Sequence, residues 1–350
     1  MAMTSSLVLG IESSCDETAA AVVRDGCEVM SSIVATQHDL HQRYAGVVPE
    51  IASRAHLERI LPVIKEALRE AKVELHQLSA IGIGHEPGLI GSLLVGLGAA
   101  KALSFATDTP LVGVNHVQAH LWSPCLDSEP IQYPALGVVA SGGHTTISLV
   151  NGPTDISVIG QTIDDAIGEA FDKAAAILEA GYPGGPAIEQ LAEEGDDQAL
   201  KLPVARLGET LDFSYSGLKT ALLYAVRGQP QGRGKSVSYP RSASDLDVQS
   251  RRDAAASFQR AAIRALVNNI EQALKQHEVT CLLAGGGVTA NTLLRNELIR
   301  VCNEHETPLR LAQRKYCVDN AAMIAGLAHA QWTRGVSHGL DLAAAARVAG

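Results

Sequence analysis

The chain has 350 residues, a formal net charge of −10 and only 4% aromatic residues. That length accommodates two cores. The scarcity of aromatics excludes a base-stacking platform for single strands, and the acidic balance excludes an unaided grip on a nucleic-acid backbone.

Strands are predicted near 7–12, 19–23 and 28–35, followed by an amphipathic helix near 49–72 and a strand at 80–84. A Gly-rich helix at 88–106, a strand at 111–114 and a helix from about 115 complete the first half. The apolar run from Leu89 to Ala106 approaches the length of a membrane span, but it contains Lys101 and several glycines. It is therefore expected to be a buried, tightly packed helix, with no membrane partner. Residues 1–6 lack the basic and apolar regions of a signal peptide. The six cysteines are scattered without a Cys-x-x-Cys pair, as reduced thiols in a cytoplasm would be.

The second half repeats this order. Strands are predicted near 135–141, 144–150 and 156–161, then a helical insertion over about 162–250. A helix at 254–276, a strand at 280–284, a helix at 290–303, a strand at 308–312 and a helix from Asp319 follow. The repeat is visible residue by residue: Leu9 to Thr18 aligns without a gap on Leu136 to Thr145, pairing Gly10 with Gly137, Ser14 with Ser141 and Thr18 with Thr145. Each segment is an apolar run, a turn of small polar residues and a second apolar run, the pattern of a β-hairpin. The expectation is a duplicated α/β protein with a mixed sheet in each half. The lobes would be 1–133 and 134–350, with a ligand cleft between them.

Loops leaving the carboxyl ends of strands carry function in such sheets. The last strand of each half is followed by Asn115-His116 and by Asp319-Asn320, which should meet across the cleft. His116 and His120 lie four apart, on one face of a helix, a spacing that suits one metal ion but also arises by chance. Asp319 offers a carboxylate from the equivalent loop, or simply caps the next helix. Two imidazoles and a carboxylate suit iron(II) or zinc. Val117 stands where a zinc protease needs its glutamate, which excludes that chemistry.

Ser141-Gly142-Gly143 reads as a nest of amides for anionic oxygens, or as an ordinary tight turn. Gly285-Gly286-Gly287 follows an apolar strand and opens a helix, so a nucleotide can lie over it; a merely flexible turn is the alternative. There is no Gly-Lys-Ser/Thr ending, so it is not a Walker loop. Asp172 sits on a helix where it can take a hydroxyl, and Tyr182-Pro183-Gly184-Gly185-Pro186 is a rigid turn open to close approach. Arg227, Arg233, Lys235, Arg241, Arg251 and Arg252 form a basic stretch that touches nucleic acid or is a solvated loop.

Taken together these motifs closely resemble the tRNA N6-adenosine threonylcarbamoyltransferase family, formerly described as sialoglycoproteases. The likeness runs from Gly10-Ile11-Glu12-Ser13-Ser14-Cys15-Asp16-Glu17-Thr18 to Cys317-Val318-Asp319-Asn320. It passes through Gly46-Val47-Val48-Pro49-Glu50, Asp212-Phe213-Ser214-Tyr215-Ser216-Gly217-Leu218-Lys219-Thr220 and Gly286-Gly287-Val288-Thr289-Ala290-Asn291. The resemblance implies the actin/Hsp70/sugar-kinase (ribonuclease H-like) fold. It implies transfer of a threonylcarbamoyl group from threonylcarbamoyl-AMP to N6 of the adenosine 3′ of the anticodon, in tRNAs reading codons that begin with A. It also implies iron held by His116, His120 and Asp319, and an acyl-adenylate held by Val139, Ala140, Ser141, Gly142, Gly143, Asp172, Gly185 and Asn291. Asp16 and Glu17 become candidates for proton handling or ATP-linked contacts. A shorter paralogue and a small P-loop ATPase are the implied partners. One departure is Glu86-Pro87-Gly88-Leu89, where members usually have Gly-Pro-Gly-Leu; Glu86 either weakens adenylate binding or points away.

Overall fold

The computed structural model describes residues 5–41, 44, 46–232 and 238–347. The first sheet contains β1 (Leu7–Glu12), β2 (Glu17–Arg24), β3 (Glu28–Thr36), β4 (Ala80–Glu86) and β5 (Leu111–Asn115), in the order β3-β2-β1-β4-β5. The second contains β6 (Ala135–Ala140), β7 (Thr145–Gly152), β8 (Asp155–Gln161), β9 (Cys281–Gly285) and β10 (Leu309–Leu311), in the order β10-β9-β6-β7-β8. Read from its other edge, the second order is the first. In both, the three hairpin strands pair antiparallel and the last two join in parallel, so the duplication extends to topology.

In the first half the helices are α1 (His38–His41), α2 (Pro49–Ala71), α3 (Ile90–Thr107) and α4 (His116–His120). In the second they are α5 (Ile167–Leu178), α6 (Gly184–Ala192), α7 (Ser216–Arg227), α8 (Val248–Gln276), α9 (Thr292–Glu304) and α10 (Ala321–Trp332). α2 starts at a proline, where the missing N–H costs nothing, and ends at Lys72 in the left-handed region, with φ 55°. Its buried stripe, from Ala52 and Ala55 to Ala67 and Ala71, lies on the first sheet. The insertion carries α5, α6 and α7. α8 begins ahead of its predicted start because the Asp247 side chain accepts the Ser250 N–H and caps it.

Each half ends by crossing to the other's sheet. α10 is apolar all round, and residues from Ala321 to Ala328 are buried in one core with Val8, Ala19, Ala21 and Val114 of the first sheet. The segment after α4 does the reverse: Leu121 packs on Ala135, Val139 and Leu283 of the second sheet. The paired glycines of the aligned hairpins make these approaches possible. A Cβ on Gly10 would collide with the backbone of Ala321 and Ala325, and one on Gly137 with the Leu121 side chain. Full burial of Met323, Ile324 and Leu327 contributes roughly 1.5–3 kcal/mol each, which anchors the N-terminus of α10. α10, which follows the expected division at 133/134, finds the partners of its apolar faces on the first sheet.

α3 also departs from expectation. Only 28% of Ile90–Thr107 is buried. Leu93, Gly96, Leu97 and Ala100 face inward, whereas Leu94 is 56% and Phe105 77% exposed. Leu57 and Leu61 of α2, which packs against α3, are exposed as well. The helix lies on a single sheet, which covers one side of it only; apolar composition by itself does not reveal which side.

Candidate metal centre and cleft

Asn115 caps α4 by accepting the Gln118 N–H at 3.0 Å, so the helix starts at His116 and one turn brings His120 beneath it. The two rings stand edge to face, with centroids 4.9 Å apart. α10 is capped by Asn320, which accepts the Met323 N–H at 3.0 Å. The cap expected of Asp319 thus belongs to its neighbour, and the Asp319 carboxylate is free to face the histidines. Its Oδ1 lies 3.2 Å from His120 Nε2 and 3.5 Å from His116 Nε2. Donor atoms of the three residues all lie within 4.8 Å of one another. Asp319 comes from the second half of the chain, but it opens a helix seated on the first sheet. The expected convergence occurs, within the packing of the first lobe.

A divalent ion fits this donor set. Among the described residues, neither buried ring nitrogen of His120 has a hydrogen-bond partner, the approach to Asp319 being too poorly aligned to count as one. Orphaned buried nitrogens are costly and call for a ligand. Burial disfavours charge on His116, yet the Glu12 and Asp319 carboxylates outweigh it and raise the group to about 9. Burial likewise opposes ionisation of Asp319, but His116 and His120 hold it well below the ordinary carboxylate range. His144, on the far side, is pushed down to about 4 by burial and by the charges of His116 and His120. The local field thus favours positive charge at the centre of the triad.

Glu12 escaped the sequence reading. It ends β1 with no exposure, and its Oε2 lies 3.0 Å from His116 Nδ1. A carboxylate closing an otherwise apolar, buried strand was the available signal.

Asp16 and Glu17, on the β1–β2 turn, are 7% and 8% exposed and form a second group of donors with His38 of α1. Burial raises Glu17 to about 8, Asp319 and Asp16 adding to the shift and His38 opposing it. The hydrogen bond with Glu17 raises His38 in turn. His56 of α2 pins the turn: its Nδ1 lies 2.8 Å from Thr18 Oγ1 and its Nε2 3.0 Å from the Cys15 carbonyl. Tyr182 of the other lobe meets the His38 ring edge-on at 6.2 Å, closing the cleft on this side.

In the second lobe, Val139 and Ala140 are fully buried in β6, the central strand of its sheet. Gly142 and Gly143 are exposed, with nothing within 4 Å of where a Cβ would stand. Gly168, near the start of α5, packs on this turn, and its N–H bonds the Ser141 carbonyl at 3.2 Å. Gly285 presses on the His120 carbonyl and Gly286 on that of Ala140, while Gly287 faces open space. The helix predicted to open here is preceded by a 3-10 turn (Gly287–Ala290), and α9 begins only after Asn291. The Asn291 side chain is spent internally, accepting the Leu294 N–H at 3.0 Å and donating to Gln259 Oε1 at 2.7 Å. Asp172 accepts the Gly184 N–H at 2.8 Å, and Gly185 beside it is unobstructed. Glu86 meets the Asn115 side chain at 3.5 Å, at the cap of α4.

The basic stretch is largely committed. Arg227 and Arg251 donate to the last carbonyls of α5, Arg241 to the Ala225 carbonyl, and Arg252 pairs with Glu194. Arg233 and Lys235 lie outside the described residues.

A family model described as tRNA N6-adenosine threonylcarbamoyltransferase matches residues 28–326. The chain belongs to that family. A relative of the same name from Symbiobacterium thermophilum is 48% identical over 97% of this chain and 96% of its own length. One from Clostridium botulinum (strain Kyoto / Type A2) is 42% identical over 96% and 95% respectively. Membership makes the protein an enzyme, a transferase of the acyltransferase type. Among solved structures, T. kodakarensis HypF aligns over 94% of this chain and 48% of its own, with a TM-score of 0.60 at 16% identity. Full-length HypF in a phosphate- and nucleotide-bound form gives 0.59 at 12%. At these identities the likeness speaks to the two-lobe fold alone.

Proposed function

We propose that this enzyme transfers the threonylcarbamoyl group of threonylcarbamoyl-AMP to N6 of the adenosine 3′ of the anticodon, in tRNAs reading codons that begin with A. The observation that carries the reading is the His116–His120–Asp319 triad, set between the carboxylates of one hairpin and the glycine turn of the other. The amine attacks the acyl carbon, a C–N bond forms, the bond to phosphate oxygen breaks, and AMP leaves with its electrons. Since AMP is already a good leaving group, placement and charge stabilisation supply most of the acceleration.

Each residue has a part in this scheme. The amides of Ser141, Gly142 and Gly143 receive the phosphate, continuing from the backbone of Val139 and Ala140. The Gly285 turn and Asn291 flank the adenosine, Asp172 takes a hydroxyl, and Gly185 allows backbone to approach. Glu17, aided by Asp16 and His38, accepts the proton that the attacking amine loses. His116, His120 and Asp319 hold iron(II), with zinc as the alternative. When bound, the metal supplies a concentrated positive charge beside the acyl group.

An acidic chain whose basic stretch is largely committed needs help to hold tRNA, which supports work in complex with a shorter paralogue and a small P-loop ATPase. The exposed apolar side chains of α2 and α3 are the proposed seat of the paralogue. A cytoplasmic location follows from the tRNA substrate. The lobes are assigned as 1–133 with α10 and the remainder from 134. The test is single turnover of purified enzyme with threonylcarbamoyl-AMP and unmodified tRNA, read by nucleoside mass analysis. Full transfer by the His120→Ala variant with its metal content unchanged would overturn the assignment.

A further inference from the structure

We infer that Glu12 is a positioning residue of the metal centre, holding the Nδ1 proton of His116 so that the Nε2 lone pair is presented to the ion. The inference rests on the metal-centre reading above. Glu12 Oε2 stands 3.0 Å from His116 Nδ1, on the side of the ring away from Asp319. The carboxylate cannot rotate off this contact at little cost, because its other oxygen accepts the Ser14 N–H. Ser14 Oγ adds a second contact to the same ring nitrogen at 3.2 Å.

The neighbouring strand is shaped around the carboxylate. Gly84 of β4 faces it, and a Cβ there would stand 2.6 Å from Glu12 Oε2. A slot kept open by a glycine, a fully buried carboxylate and a two-point clamp all act on one ring nitrogen. His120 has nothing comparable among the described residues, where its buried Nδ1 finds no partner. The two imidazoles are therefore inequivalent. His116 is fixed in tautomer by the carboxylate behind it, whereas among the described residues His120 has no such partner.

The test uses cobalt(II) and zinc(II) with the full chain, reading affinity by chelator competition and geometry by the visible ligand-field bands of cobalt. Glu12→Gln should weaken binding by about 10- to 100-fold and shift the bands. Glu12→Asp, whose carboxylate falls short, should lie between it and the wild type. Gly84→Ala keeps the carboxylate but displaces its far end, and should change affinity and spectrum in the same direction. This variant carries the test if loss of the buried carboxylate prevents folding. Wild-type affinity and bands in both Glu12→Gln and Gly84→Ala, with binding abolished in His120→Ala, would overturn the inference alone. Retained binding in His120→Ala would instead overturn the metal-centre reading beneath it.

Discussion

The Glu17 carboxylate stands 3.4 Å from His38 Nε2, and that of Asp16 lies 4.0 Å from the same nitrogen. The pair holds a proton unusually tightly, Glu17 being lifted to about 8 by burial and His38 by its bond to Glu17. A group that takes a proton from an attacking amine must first be ionised. Below its raised value Glu17 is protonated and idle, so transfer should rise as pH climbs through about 8 and then level off. Glu17→Gln should lower the single-turnover rate by roughly 10²- to 10⁴-fold and abolish this rise. An unchanged pH profile in that variant would remove Glu17 from the chemistry.

Removal of the ion should be as damaging as removal of its ligands. Prolonged chelation is expected to silence transfer, and iron(II) or zinc(II) to restore it. His116→Ala, His120→Ala and Asp319→Ala should each purify with little metal and fail to respond to added ion. Metal analysis beside the transfer assay checks this, and full reactivation of any of the three would contradict the ligand set.

The two paired glycines should differ in what they tolerate. At Gly10 an added methyl meets the backbone of Ala321 and Ala325, which can yield only if α10 moves. At Gly137 it meets the side chains of Leu121 and Val150, which have some freedom. Gly10→Ala should therefore cost about 1–3 kcal/mol or more by denaturant unfolding, and Gly137→Ala less. Because α10 carries Asp319 at its start, only the first variant should also bind metal more weakly. Equal stability losses, or intact metal affinity in Gly10→Ala, would argue against this coupling.

On the outer face, Leu94→Asp and Phe105→Asp remove exposed apolar surface that the isolated chain does not use. Their melting temperature should match the wild type to within about 0.5 kcal/mol of stability. Co-purification with the shorter paralogue should be lost. Retained association would place the partner elsewhere.

Much of this was legible in the chain. The hairpin repeat is written in an ungapped alignment, and topology followed it because strand order in each half is set by the same succession of hairpin and crossovers. The histidine spacing reads directly as one helical face. The remainder depends on contacts between distant positions. Glu12 and His116 are 104 residues apart, and nothing local to either announces the other. An all-apolar helix such as α10 declares that it is buried, not which sheet buries it. Asp319 and Asn320 are both plausible caps, and only the backbone path decides between them. Asn291 lies in a glycine turn, and its bonds to Leu294 and Gln259 come from positions 3 and 32 residues away.

The crossing of α10 has a consequence for the triad. Asp319 is seated on the same sheet as α4, with which α10 is in direct contact. All three donors therefore ride on one body, and a movement of one half against the other would leave the spacing of the triad untouched.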